Sequence, residues 1–174
     1  LKDRILTVNG VSKGYSMTGW RLGYAGGPAW LISAMQILQS QSTSNPSSIS
    51  QAATVVALEH GSEFITEWIE ILSRRRTLIM NCINAIDGLS AEVPPGAFYV
   101  FANCQRMLGK TTPSGESLHT DEDFAAYLLK FAHVATLQGS AFGAPGYLRI
   151  AYAIDDKRLQ EACERIARAC GELR

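Results

Sequence analysis

Ser12-Lys13-Gly14-Tyr15-Ser16-Met17-Thr18-Gly19-Trp20-Arg21 is the densest chemical signal in the chain. Just before it, residues 5–9 (ILTVN) are short, apolar and β-branched, and they stop at Gly10, the pattern of a strand entering a loop. Just after it, residues 21–25 (RLGYA) read as a second strand, closed by Gly26-Gly27-Pro28. Lys13 therefore sits on a loop at a strand's end, where a side chain can reach a cleft. An amine forms a Schiff base only when neutral, which takes partial burial plus a nearby positive group; Arg21 stands eight residues on. The planar guanidinium of Arg21 also suits a phosphate dianion. Ser12 adds a hydroxyl, and Gly14 and Gly19 leave room beside a ligand. The plain alternative is an exposed loop lysine and a surface arginine, and on chemistry alone it is the favoured reading.

Beyond the loop, Pro28 suits the first position of a helix over WLISAMQILQS, and ISQAATVVALEH makes another after the break at Ser44-Asn45-Pro46. Residues 63–87 carry an apolar stripe at helical spacing, with Ser62 as a cap and Arg74-Arg75-Arg76 as a solvated or carboxylate-paired run. Short strands are expected over LSAEV, FYVFA, VATLQ and YLRIAYA. Residues 110–120 read as an exposed, mobile polar loop, Thr120 opens a helix over FAAYLLKFA, and Asp155 caps a closing helix. Helices and strands alternate, so the class is α/β.

The 174 residues carry 16 Lys+Arg and 16 Asp+Glu, a zero formal charge that argues against a nucleic-acid or anionic-membrane partner. No apolar run approaches a membrane span. Cys82, Cys104, Cys163 and Cys170 are scattered, so free thiols in a reducing cytoplasm are expected, without a metal site. His60, His119 and His133 are equally dispersed. A Ser-x-x-Lys site fails because Gly10 stands three before Lys13, and Gly139-Ser140-Ala141-Phe142-Gly143 has its serine one place early for a nucleophile elbow. Arg149, in Tyr147-Leu148-Arg149-Ile150, sits on a half-buried strand and needs an anion. An internal carboxylate is the plainer partner, a substrate carboxylate the functional one.

These residues carry a resemblance. Residues 12–24 resemble the lysine loop of fold-type I, class I/II pyridoxal-phosphate aminotransferases, most closely the bacterial aspartate-aminotransferase-like subgroup. Pro95-Gly96-Ala97-Phe98-Tyr99 is similar to a strand of their small domain, and residues 139–150 resemble the segment with their substrate arginine. The resemblance implies that residues 1–61 end a large cofactor-binding domain and residues 62–174 form a small α/β domain beginning with a bridging helix. It implies pyridoxal 5'-phosphate held covalently by Lys13, with Arg21 on its phosphate and Ser12 beside it. Lys13 would then move the proton at the substrate Cα, and Arg149 would grip the α-carboxylate. Amino-acid and 2-oxo-acid substrates, a homodimer and a cytoplasmic setting follow in the same way.

The sequence departs from the family at Gly10, where a hydroxyl is common, and at Gln138, where proline is common. It also lacks the Gly-rich loop, the stacking aromatic and the pyridine-pairing Asp of the family's N-terminal half. The piece alone is therefore expected to bind the cofactor weakly and to be inactive. A carbon–sulfur lyase or decarboxylase on the same scaffold, an effector-sensing domain of a transcription regulator, and a non-catalytic dimerisation fragment are the alternatives.

Overall fold

A computed structural model describes all residues 1–174, which divide into two compact units, Leu1–Ile69 and Glu70–Arg174. In the first, β1 (Thr7–Gly10) pairs antiparallel with β2 (Gly23–Gly26), Gly10 facing Gly23 and Val8 facing Ala25. Two helices follow, α1 (Ala29–Ser40) and α2 (Ser48–His60). Pro28 takes the cap position rather than the first helical one, leaving its missing N–H without consequence. The long helix α3 (Ser62–Ala85) starts one residue after Gly61, so Ser62 is its first residue and not its cap.

The second unit holds a four-stranded sheet in the order β3 (Ser90–Ala91), β4 (Tyr99–Asn103), β6 (Tyr147–Ala151), β5 (Leu137–Gln138), antiparallel throughout. Two helices, α4 (Asp121–Tyr127) and α5 (Asp156–Gly171), lie in the same unit. Strand alternation sorts the sheet into two faces. Val100 and Ala102 of β4 and Leu148 and Ile150 of β6 are buried, so Tyr99, Phe101 and Arg149 share the opposite face. The core under the buried face is built from Ile79 and Ile83 of α3, Phe124 of α4, and Leu159, Cys163 and Ile166 at helical spacing on α5. Ile83 is fully buried, so Ile83→Ala should cost about 2–5 kcal/mol through lost contacts and a cavity. Urea unfolding measures this, and a loss under about 0.5 kcal/mol would show that the site is not packed.

The starts of α4 and α5 follow the sequence. Thr120 and Asp123 close a capping box at α4, and the Asp155 side chain accepts from the Arg158 N–H at α5. The arginine run finds a carboxylate: Arg74 and Arg75 each donate through Nε to Asp156, at 2.9 and 2.8 Å. Those two bonds hold the Asp156 carboxyl below its ordinary value of 3.8. A depressed folded pKa contributes stability that is present above the ordinary value and lost as pH falls through the folded one. Asp156→Asn should therefore be less stable than the parent at neutral pH, and the difference should shrink in acid below that ordinary value. A difference that stays constant with pH would contradict the assignment.

Residues 110–120 form the largely exposed polar loop the composition implies, with Pro113–Ser117 exposed, but the loop is pinned at several points. Thr112 and Leu118 are buried, Thr111 bridges Ser117, and Thr111 exchanges two backbone hydrogen bonds with Arg174. Polar composition marks a turn-rich backbone, and here that backbone is paired. The expected strands also shorten: LSAEV contributes only Ser90–Ala91 and VATLQ only Leu137–Gln138. All four cysteines are free thiols, three of them buried. No helix is long and apolar enough to cross a membrane.

Candidate functional site

The first group of residues lies on the loop joining β1 to β2. Because Gly10 faces Gly23, Ser12 and Lys13 leave one strand where Arg21 enters the other. Antiparallel pairing thus brings the backbone of Ser12, Lys13 and Arg21 to the same end of the strand pair. Two apolar side chains anchor the loop, Val11 fully buried and Met17 nearly so, while Lys13 and Arg21 are exposed. The turn is closed by the Tyr15 N–H donating to the Val11 carbonyl and the Ser16 N–H to the Lys13 carbonyl. The Tyr15 ring lies over Gly61, where a Cβ would come within 2.7 Å of the ring, so only glycine permits this approach.

Arg21 stands in the left-handed region, φ 53° and ψ 50°, and its Nη1 donates to the Thr18 carbonyl at 3.0 Å. For a non-glycine residue this costs on the order of 1 kcal/mol, and such strain gathers at ligand sites. The chemistry of this set fits a phosphorylated aldehyde: a primary amine for the carbonyl carbon, and a planar cation and a hydroxyl for the phosphate.

Arg149 lies in the other unit. Its guanidinium carbon lies over two aromatic rings, 4.4 Å from the centre of Tyr99 and 4.0 Å from that of Phe142. Register explains the arrangement, since Phe101 stands directly opposite Arg149 across β4–β6 and meets Phe142 edge-on at 6.1 Å. The internal carboxylate that the sequence favoured as partner is absent: no acidic group forms an ion pair with Arg149. The two rings meet the cation without an anion, and a guanidinium with no acidic partner can receive a carboxylate in a paired fashion. Tyr99 and Phe142 are the contributors that spacing did not single out. The signal was present in the Phe142 of the 139–143 stretch and in the alternation along β4.

A cleft of about 550 Å³ in the same unit is lined by Cys82, Cys163, Cys170 and Lys110, among others, and contains none of the candidate residues. Burial pushes the Cys163 and Cys170 thiols up to about 12, so neither serves as a nucleophile at neutral pH. No group of three or more His, Cys, Asp or Glu side chains is placed to hold a metal ion.

Known proteins resemble this chain in sequence and in fold. The chain is 60% identical over 173 residues to an aspartate aminotransferase of Rhizobium meliloti (strain 1021), covering 99% of this chain and 42% of that protein. It is 49% identical to a probable aspartate/prephenate aminotransferase of Rickettsia bellii, covering 99% of this chain and 43% of that one. Among solved structures, the aspartate aminotransferase from Rhizobium meliloti superposes with a TM-score of 0.96 at 60% identity, over 100% of this chain and 44% of that one. An aromatic aminotransferase from Pyrococcus horikoshii follows with a TM-score of 0.87 at 37% identity, over 98% and 44%. The chain thus spans less than half the length of the relatives it matches, in their C-terminal part. The family model "Aminotransferase class I and II" matches residues 2–166, and the chain belongs to that family.

Proposed function

We propose that the protein of which this chain forms part transfers the amino group between an amino acid and a 2-oxo acid, in the manner of an aspartate aminotransferase. The class I and II aminotransferases use pyridoxal phosphate, which when bound acts as the electron sink for the substrate's Cα carbanion. The observation that carries the reading is the β1–β2 neck, where Lys13 and Arg21 leave paired strand ends together.

In this reading Lys13 attaches the cofactor through its Nζ and, once substrate has displaced it, takes the proton from the substrate Cα. Arg21 and Ser12 hold the phosphate. Arg149 binds the α-carboxylate through its N–H donors and so orients the Cα–H bond for abstraction. The protein works as a cytoplasmic homodimer with residues 1–61 in its cofactor-binding domain and 62–174 in its small domain.

The test is amino-acceptor dependence in the complete polypeptide. With L-aspartate as donor, product formation should require an added 2-oxo acid and should yield the matching new amino acid. Release of ammonia, carbon dioxide or a thiol without an acceptor would instead place the protein among lyases or decarboxylases.

A further inference from the structure

We infer that Asp121 is a positioning residue for Arg149, acting through the turn Gly139–Phe142 and the ring of Phe142; this rests on the reading of Arg149 as the carboxylate anchor. Asp121 is the first residue of α4 and only 3% exposed. The end of that helix is already capped without it, by the reciprocal bonds between Thr120 and Asp123. Burying a carboxylate is costly unless a donor meets it. The donor is remote in sequence: the Ser140 N–H gives a 2.7 Å hydrogen bond to Asp121 Oδ2, in the short range of charge-assisted bonds.

That bond ties down the start of the turn that carries Phe142. The rest of the turn has little freedom. A Cβ on Gly139 would overlap the Ala144 carbonyl, the Gly143 N–H donates to the Ser140 carbonyl, and the Ala144 N–H donates to the Gly139 carbonyl. Gly143 then leaves the turn at φ 75°, a conformation suited to glycine. At the end of this closed turn the Phe142 ring covers one side of the Arg149 guanidinium at 4.0 Å. Asp121 forms no ion pair with Arg149 itself, so its influence passes through backbone and ring. The charge of Asp121 is spent on an amide, and the cation of Arg149 is left for the substrate.

The test measures KM for L-aspartate and kcat in the complete, cofactor-loaded protein. Phe142→Ala, on the exposed turn, should raise KM about fivefold, the order expected for one lost cation–π plate, with kcat within about twofold. Asp121→Ala should raise KM by a similar factor, while Asp121→Asn, whose Oδ1 still accepts from the Ser140 N–H, should stay within about twofold of the parent. The double variant Asp121→Ala/Phe142→Ala should show no more than the Phe142→Ala effect, because both act on one ring. Asp121→Ser, too short to reach the amide, takes the place of the alanine variant if that one does not fold.

An unchanged KM in Asp121→Ala, an Asp121→Asn as impaired as Asp121→Ala, or multiplying effects in the double variant would each overturn the inference. Arg149→Leu is run beside them. If it leaves KM unchanged, the anchor reading itself has failed; if it raises KM while Asp121→Ala does not, only the relay has.

Discussion

Lys13→Ala should lower kcat of the complete protein by about a thousandfold or more while leaving the fold intact. The side chain is exposed on the loop between β1 and β2, and the buried anchors of that loop are Val11 and Met17, so its removal opens no cavity. What is lost is the amine that attaches the cofactor and the base that moves the proton at the substrate Cα. A positioned acid–base group contributes about 10²–10⁴-fold, and covalent attachment adds to this. Lys13→Arg should not restore activity, because a guanidinium neither gives up its proton at neutral pH nor attacks a carbonyl. Steady-state kinetics with an unchanged thermal midpoint would establish the effect. A variant with a tenth or more of the parent kcat would remove Lys13 from the chemistry.

Arg149→Leu should cut kcat/KM for the amino-acid substrate by about 10²–10³, on the scale of 2–5 kcal/mol for truncating one member of a hydrogen-bonded charge pair. Leucine keeps much of the apolar contact with Tyr99 and Phe142, so stability should change little. Arg149→Lys should recover only a minor part, since an ammonium cannot present two parallel N–H donors or stack flat on a ring. Measuring kcat/KM for two donors with different side chains sharpens the result. A group that reads the shared α-carboxylate should affect both by the same factor, whereas unequal factors would place Arg149 on the side chain instead.

Both proposed site residues stand out in the sequence, for different physical reasons. Lys13 and Arg21 flank a loop whose boundary signals, Gly10 and the 21–25 strand, are local, and local signals survive without tertiary context. Arg149 was visible as a charge on an apolar alternating strand, but its partner was misjudged. An arginine in that setting is most simply satisfied by a carboxylate, and nothing in the linear order reveals that Tyr99 and Phe142 would close on it from a neighbouring strand and a turn.

The same limit hid Asp121. Read locally it is one of three acidic residues at the start of a helix, and only the tertiary fold brings it to the Ser140 amide nineteen positions away. The exposure of the 110–120 segment was legible from its polar composition, but composition does not report that Thr111 pairs with the chain's last residue. The helix start at Thr120 and the cap at Asp155 were legible because such signals are local, although the same local signal placed Ser62 one position outside its helix.

The most direct measurement is chemical. The complete polypeptide, incubated with pyridoxal phosphate, is reduced with borohydride, digested, and mapped by mass spectrometry. The account predicts one phosphopyridoxyl group, on Nζ of Lys13, with the yield falling sharply in Arg21→Ala, where the phosphate has lost its guanidinium. A reduced adduct spread over several surface lysines, or Lys13 recovered unmodified, would contradict it.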